Sequence, residues 1–241
     1  KKPELGEFGG YVNGTISTTA GSSDMSWTGD LILNVPLGET LALRAVASKT
    51  DTAGIIDYVN VYELDANDAP VIPGDINDTD ATFRSVEDAD TVDIDFFRIT
   101  ALFEPSEKFD ATATYTRQTA DVGSRRASAE DHLDGFGNEY GRYEAGSVQL
   151  EPASSELDMF SLEMNVDLGF ATLTSSSSYY ERSGRSISEN TGFYASKNWL
   201  AGFYYNSPRP LARADRGYTD EAFIQEVRLV SSSDGPFNWV L

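Results

Sequence analysis

Cysteine is absent from the 241 residues, and histidine occurs once, at His132. The first absence excludes disulfides and thiolate-held metals, and the second removes most histidine-based metal sites and argues against a Ser-His-Asp triad. Cations are scarce: 18 Lys and Arg stand against 39 Asp and Glu, a formal charge of -21. A phosphate-binding face needs clustered Lys and Arg, so nucleic acid is not an expected partner. Long apolar runs are missing as well, and nothing approaches the ~18–20 residues that cross a bilayer as a helix. Lys1-Lys2-Pro3-Glu4 leads into no apolar stretch of the secretory kind, so a mature form or an internal piece of a longer protein is expected. Low hydropathy does not exclude a membrane, because membrane β-barrels leave only a weak alternating trace.

That alternation is what the chain does contain. From Phe160 to Leu168 the odd-sounding pattern is regular: Phe160, Leu162, Met164, Val166 and Leu168 interleave with Ser161, Glu163, Asn165 and Asp167. A strand sends successive side chains to opposite faces, so one wall is apolar and the other wet. The same reading predicts strands at Met25 to Val35, Thr40 to Ser48, Phe97 to Glu104, Phe109 to Thr116 and Phe223 to Val230. Weaker members run Tyr11 to Thr18, Ala171 to Tyr180 and Phe237 to Leu241, the last cut short, which makes about nine in all.

Their connections alternate in length. Tight turns are expected at Val35 to Glu39, Glu104 to Lys108, Gly169-Phe170 and Ser233 to Pro236, where Pro and Gly supply the special φ angles. Long segments fall at Lys49–Asp95, Arg117–Leu157 and Ser183–Glu221, each of roughly 40 residues, far above the usual ~4–6 of a compact domain. Short turns at one end and long loops at the other describe an outer-membrane barrel. An antiparallel β-sandwich also gives alternating strands, but it predicts no very long second connection, and the wet faces here are charged.

The same segments resemble the barrel domain of TonB-dependent receptors, the active transporters of Gram-negative outer membranes. Lys2-Pro3-Glu4-Leu5-Gly6-Glu7-Phe8-Gly9-Gly10-Tyr11-Val12 is similar to the approach to the family's first barrel strand. Asn34-Val35-Pro36-Leu37-Gly38-Glu39-Thr40-Leu41-Ala42-Leu43-Arg44 resembles its first hairpin turn and third strand. Gly54-Ile55-Ile56-Asp57-Tyr58 resembles the start of the second long loop, and Thr100-Ala101-Leu102-Phe103-Glu104-Pro105-Ser106-Glu107 the second periplasmic turn. Gln225-Glu226-Val227-Arg228-Leu229, followed by Asp234-Gly235-Pro236-Phe237-Asn238-Trp239-Val240-Leu241, is the most specific match.

The resemblance implies an all-β fold: residues 1–241 as part of an antiparallel up-and-down transmembrane β-barrel, with short periplasmic turns and long extracellular loops. It implies a location in the bacterial outer membrane, lipid as a neighbour, and uptake of a scarce nutrient such as a siderophore, vitamin or saccharide. Its partners would be a small-molecule ligand, the remaining barrel strands, the protein's own plug domain, and through that plug the TonB energy-coupling complex. No plug, energy-coupling box or aromatic-ended final strand is present in these residues. The competing classes are a soluble or cell-surface β-sandwich that binds glycan or calcium, and a passive porin.

No catalysis and no cofactor are expected. Arg44, Arg98, Glu163, Asp167, Glu226 and Arg228 are the charged members of the wet faces and are expected to line the lumen as a network. Phe193, Tyr194, Trp199, Phe203, Tyr204 and Tyr205 lie in the third long loop and are candidates to stack on a ligand, although loop packing and a membrane interface also use such residues. Leu64-Asp65-Ala66-Asn67-Asp68-Ala69-Pro70 resembles the calcium-binding linker of cadherins. Asp65, Asn67 and Asp68 carry the oxygens a hard cation wants, whereas a solvated acidic loop explains them as simply. His132, alone in a polar loop, reads as solvent-facing.

Overall fold

The computed structural model describes residues 1–67, 71, 82–133, 137–191, 211–232 and 237–241. Eleven strands follow one another in these residues: β1 Gly9–Thr18, β2 Met25–Pro36, β3 Leu41–Thr52, β4 Asp57–Tyr62, β5 Phe83–Val86, β6 Val92–Ser106, β7 Phe109–Val122, β8 Glu144–Ala145, β9 Ala153–Asp167, β10 Ala171–Glu189 and β11 Arg213–Ser231. Eight of them form one sheet in the order β1-β2-β3-β6-β7-β9-β10-β11, and every pairing in it is antiparallel. Each strand therefore pairs with the next one in the meander, the layout expected from the alternation of connections. The other three form a small sheet, β5-β4-β8.

All eight strands of the meander coincide with alternating segments of the sequence. Residues 237–241 continue the pattern beyond β11: Leu229 and Leu241 exchange backbone hydrogen bonds, and the Ser231 amide donates to the Trp239 carbonyl at 3.0 Å. Seven successive reversals place the turns 37–40, 107–108 and 168–170 along one edge, and the strand ends flanking residues 19–24, 53–91, 123–152 and 190–212 lie along the other. Gly38 (φ 126°) and Gly169 (φ 83°) occupy left-handed conformations that only glycine adopts cheaply, which lets two of the turns close in so few residues. Pro105 differs from its expected place in a turn. It lies in the end of β6, within the register irregularity between Phe103 and Ser106, where a missing amide costs no ladder bond. Pro236 lies outside the described residues.

The strands run further toward the long-connection edge than alternation predicts. β10 and β11 have 19 residues each, and their far halves are polar on both faces, so no hydrophobic rhythm marks them. The long connections at that edge form the small sheet, whose core is Ile56, Tyr58, Val61, Ala89 and Ala145. Gly54 approaches the Asp88 carbonyl so closely that a Cβ would lie 2.0 Å from its oxygen, which brings the start of β4 against the chain entering β6.

Candidate functional site

Register decides which side chains share a face. Residues directly opposite in an antiparallel pair point the same way, so Ile99, Tyr115, Phe160, Tyr179 and Phe223 form one continuous row across five strands. Below that row, toward the turns, the same face carries Ala101, Ala113, Leu162, Phe103, Ala111, Met164, Val166, Leu173, Val227 and Leu229, interrupted by Ser175, Ser177 and Gln225. This face is largely apolar and uncovered: Phe160 is 51%, Val227 61% and Phe223 69% exposed. Contiguous apolar surface of that extent marks an interaction with another apolar medium.

One step above the aromatic row the face changes character. The next row is Phe97, Arg117, Asp158, Glu181 and Glu221. Tyr115 donates its hydroxyl upward to Asp158, and Tyr179 donates to Glu221 at 3.1 Å. Arg117 pairs with both Glu156 and Asp158, Lys49 with Asp93 and Asp95, and Arg185 with Asp215 through its Nε at 2.8 Å. Tyr115 and Tyr179 thus bridge an apolar band and a charged belt, each with its hydroxyl on the wet side.

The opposite face is mixed, with polar and charged rows interrupted by Ile32, Val46, Leu102, Met159 and Ile224. Arg44, Thr100, Thr114, Ser161 and Ser178 make one row, and Thr112, Glu163, Ser176 and Glu226 the next. Arg44, Arg98, Glu163, Asp167, Glu226 and Arg228 all lie on this face. Among themselves only Arg228 and Glu226 come within ion-pair reach, at 4.0 Å. Arg98 donates from Nε to the Thr116 hydroxyl at 3.2 Å and lies over the Phe96 ring, and Asp167 accepts the Gly169 amide at 2.7 Å in the turn. Glu163 holds Lys2 at 3.3 Å instead. That contact belongs to the first residues of the chain, which run across the polar face: Asn34 accepts from the Glu4 amide at 2.9 Å and donates to the Glu4 and Glu7 carbonyls.

Above the sheet the long connections are tied together by buried polar groups that the sequence did not single out. The Asp90 side chain is fully buried; it accepts the amides of Ile55 at 2.6 Å and Ile56 at 2.8 Å and pairs with Arg126. Burial opposes its ionisation, but Arg126 and the two amides outweigh that and hold its carboxyl below the usual range. Tyr58, at the centre of the small sheet, donates to the Arg125 carbonyl at 2.9 Å, and burial, helped by nearby Glu151, pushes its hydroxyl up to about 12. Burial likewise raises Glu189, whose own amide donates to Glu151 at 2.9 Å. In sequence, Asp90 is one of several acids in a short run, and its burial leaves no local signature.

The loop candidates are placed unevenly. Asp65 accepts the Asn67 amide at 2.8 Å, an Asx-turn. Asp68 lies outside the described residues, as do Phe193, Tyr194, Trp199, Phe203, Tyr204 and Tyr205. Among the described residues no group of three or more His, Cys, Asp or Glu is arranged to hold a metal. His132 sits in an exposed loop with Nδ1 3.0 Å from the Glu130 carbonyl.

No known family model matches the chain, and no curated protein matches it.

Proposed function

We propose that the chain forms part of the wall of an outer-membrane β-barrel of the TonB-dependent receptor kind and serves the energised uptake of a scarce nutrient. The observation that carries the membrane reading is the two-faced sheet. One face has a largely apolar band closed above by a row whose two tyrosine hydroxyls reach a charged belt, and the other face carries the Arg44, Arg98, Glu163, Asp167, Glu226 and Arg228 side chains among mixed polar and apolar neighbours. Leu168 lies eight positions beyond Phe160. At ~3.4 Å per residue and a tilt of about 40°, that spans roughly 20 Å along a barrel axis, close to the ~25 Å apolar band of outer-membrane barrels.

Lipid would cover the apolar face, and the polar face would line the lumen. The turns would face the periplasm and the long connections the outside. The first residues cross the polar face, so the chain reaches β1 from the lumen side, where a plug would sit. That approach favours a receptor over an open porin. The eight strands are fewer than the ~22 of a plugged transporter, so the rest of the wall would come from further strands beside β1 and β11. Transport then follows from the resemblance: a ligand binds among the external loops, and the inner-membrane complex pulls on the plug to admit it.

Expression in a Gram-negative host tests the reading. The full-length protein should fractionate with the outer membrane and require detergent for extraction. Protease added to intact cells should cut within the long connections and spare the turns. Deletion of the gene should impair growth under limitation of one nutrient, and loss of the energy-coupling protein should reproduce the defect. A protein that stays monodisperse in buffer without detergent would sink the membrane reading.

A further inference from the structure

Where the small sheet meets the far ends of β10 and β11, the chain forms an open-sided cleft of about 530 Å³. That size lies within the ~300–1,000 Å³ of small-molecule sites. Its apolar lining includes Val61, Leu64, Leu150 and Ile187. Gln149 belongs to the same lining, is only 4% exposed, and has no hydrogen-bond partner for its Nε2. A buried amide donor is nearly always paired in a folded protein, so an unpaired one in the wall of a cleft asks for an acceptor from outside the chain.

The charge of the cleft points to the acceptor. Among the described lining residues Arg84 and Arg213 are the cations and Glu63 is the carboxylate, in a chain whose formal charge is -21. Arg84 is exposed on β5 and makes no ion pair among the described residues. We propose that this cleft binds a small molecule with an apolar body and a terminal carboxylate, with Arg84 taking the charge and the Gln149 amide donating to one of the oxygens. The terminal torsion of a glutamine is soft, and the Gln149 side chain has no hydrogen bond to give up among the described residues, so its donor can turn toward a ligand oxygen. The apolar lining would take the body of the ligand, a division of labour common to such sites. Only the statement that the cleft faces outward rests on the barrel reading; on that reading it is a capture site for the transported nutrient, which would then be a carboxylate.

The test uses the full-length protein in lipid nanodiscs and fluorine NMR with two probes, 4-fluorobenzoate and its uncharged counterpart 4-fluorobenzyl alcohol. The benzoate should bind and the alcohol should bind at least about tenfold more weakly, the scale of one charge-assisted hydrogen bond. Arg84→Ala and Gln149→Leu should each weaken the benzoate by a similar factor and leave the alcohol unchanged. Arg84→Ala alters an exposed side chain, and Gln149→Leu removes an unmet donor, so both should melt at or above the temperature of the parent protein. No binding of benzoate, equal binding of the alcohol, or benzoate binding indifferent to both substitutions would each overturn the proposal. Bilayer insertion is scored separately: a protein that binds benzoate but does not insert keeps the cleft and loses the barrel, and the converse loses the cleft alone.

Discussion

Met164→Arg is the substitution on which the two-faced sheet makes its sharpest demand. Met164 lies on the apolar face of β9, opposite Ala111 of β7 and Ser175 of β10. It is four residues from Phe160, in the aromatic row, and four from Leu168, at the turn. At ~3.4 Å per residue and a tilt of about 40°, each separation is roughly 10 Å along the axis, so Met164 sits near the middle of the band. An arginine there should cost about 2–4 kcal/mol of folding free energy in a bilayer, and one at Leu168 about 0–1 kcal/mol, because the penalty falls toward the interface. Ser176→Arg is the control. Ser176 lies on the polar face directly between Glu163 and Glu226, so the new cation meets two carboxylates and should cost nothing measurable. Reversible denaturant unfolding of the complete protein in phospholipid vesicles, followed by tryptophan fluorescence, gives all three values. Equal costs at Met164 and Ser176, or a larger cost at Leu168 than at Met164, would refute the assignment of faces.

Three further outcomes follow from the polar groups above the sheet. Gly54→Ala should destabilise by about 1–3 kcal/mol, because its Cβ meets the Asp88 carbonyl and the backbone must shift; thermal melts read this directly. The Asp90 carboxyl ionises below its unfolded value, so its contribution is present above about pH 4 and is lost as pH falls through the folded value. Asp90→Asn should therefore lower stability at neutral pH and flatten the acid limb of a stability–pH curve. Tyr58 keeps its proton until about pH 12. An unfolded tyrosine ionises near pH 10, so stability present below that is lost as pH rises toward 12, by roughly 2–3 kcal/mol, and Tyr58→Phe should remove that alkaline limb from hydrogen exchange of the small sheet.

The meander was legible because its strands place an apolar face against a polar one. Phe160, Leu162, Met164 and Val166 announce β9 without help from any neighbour. The far halves of the strands were not, since Arg213 through Ala222 bears polar groups on both sides and pairs with β10 through backbone bonds and polar side-chain contacts such as Arg185 with Asp215, which leave no hydrophobic rhythm. β4, β5 and β8 are short and hold together through Tyr58, Ile56 and Ala145, which meet only once the loops have folded over one another. The polar wall was readable residue by residue, whereas the contact of Glu163 with Lys2 joins positions 161 apart in sequence, which no local pattern reveals. Gln149 and Arg84 were likewise invisible, because the cleft is a property of two separate connections and the ends of two strands.

The absence of cysteine makes the central claim directly measurable. Single cysteines placed in turn at each position from Phe160 to Leu168, and labelled with an environment-sensitive fluorophore, report whether each side chain touches lipid. In vesicles containing doxyl-labelled phospholipid, the apolar-out register predicts quenching at 160, 162, 164, 166 and 168, deepest at 164, and none at 161, 163, 165 and 167. Uniform quenching, quenching at the even and odd positions reversed, or no response to the labelled lipid at any position would contradict a lipid-facing wall.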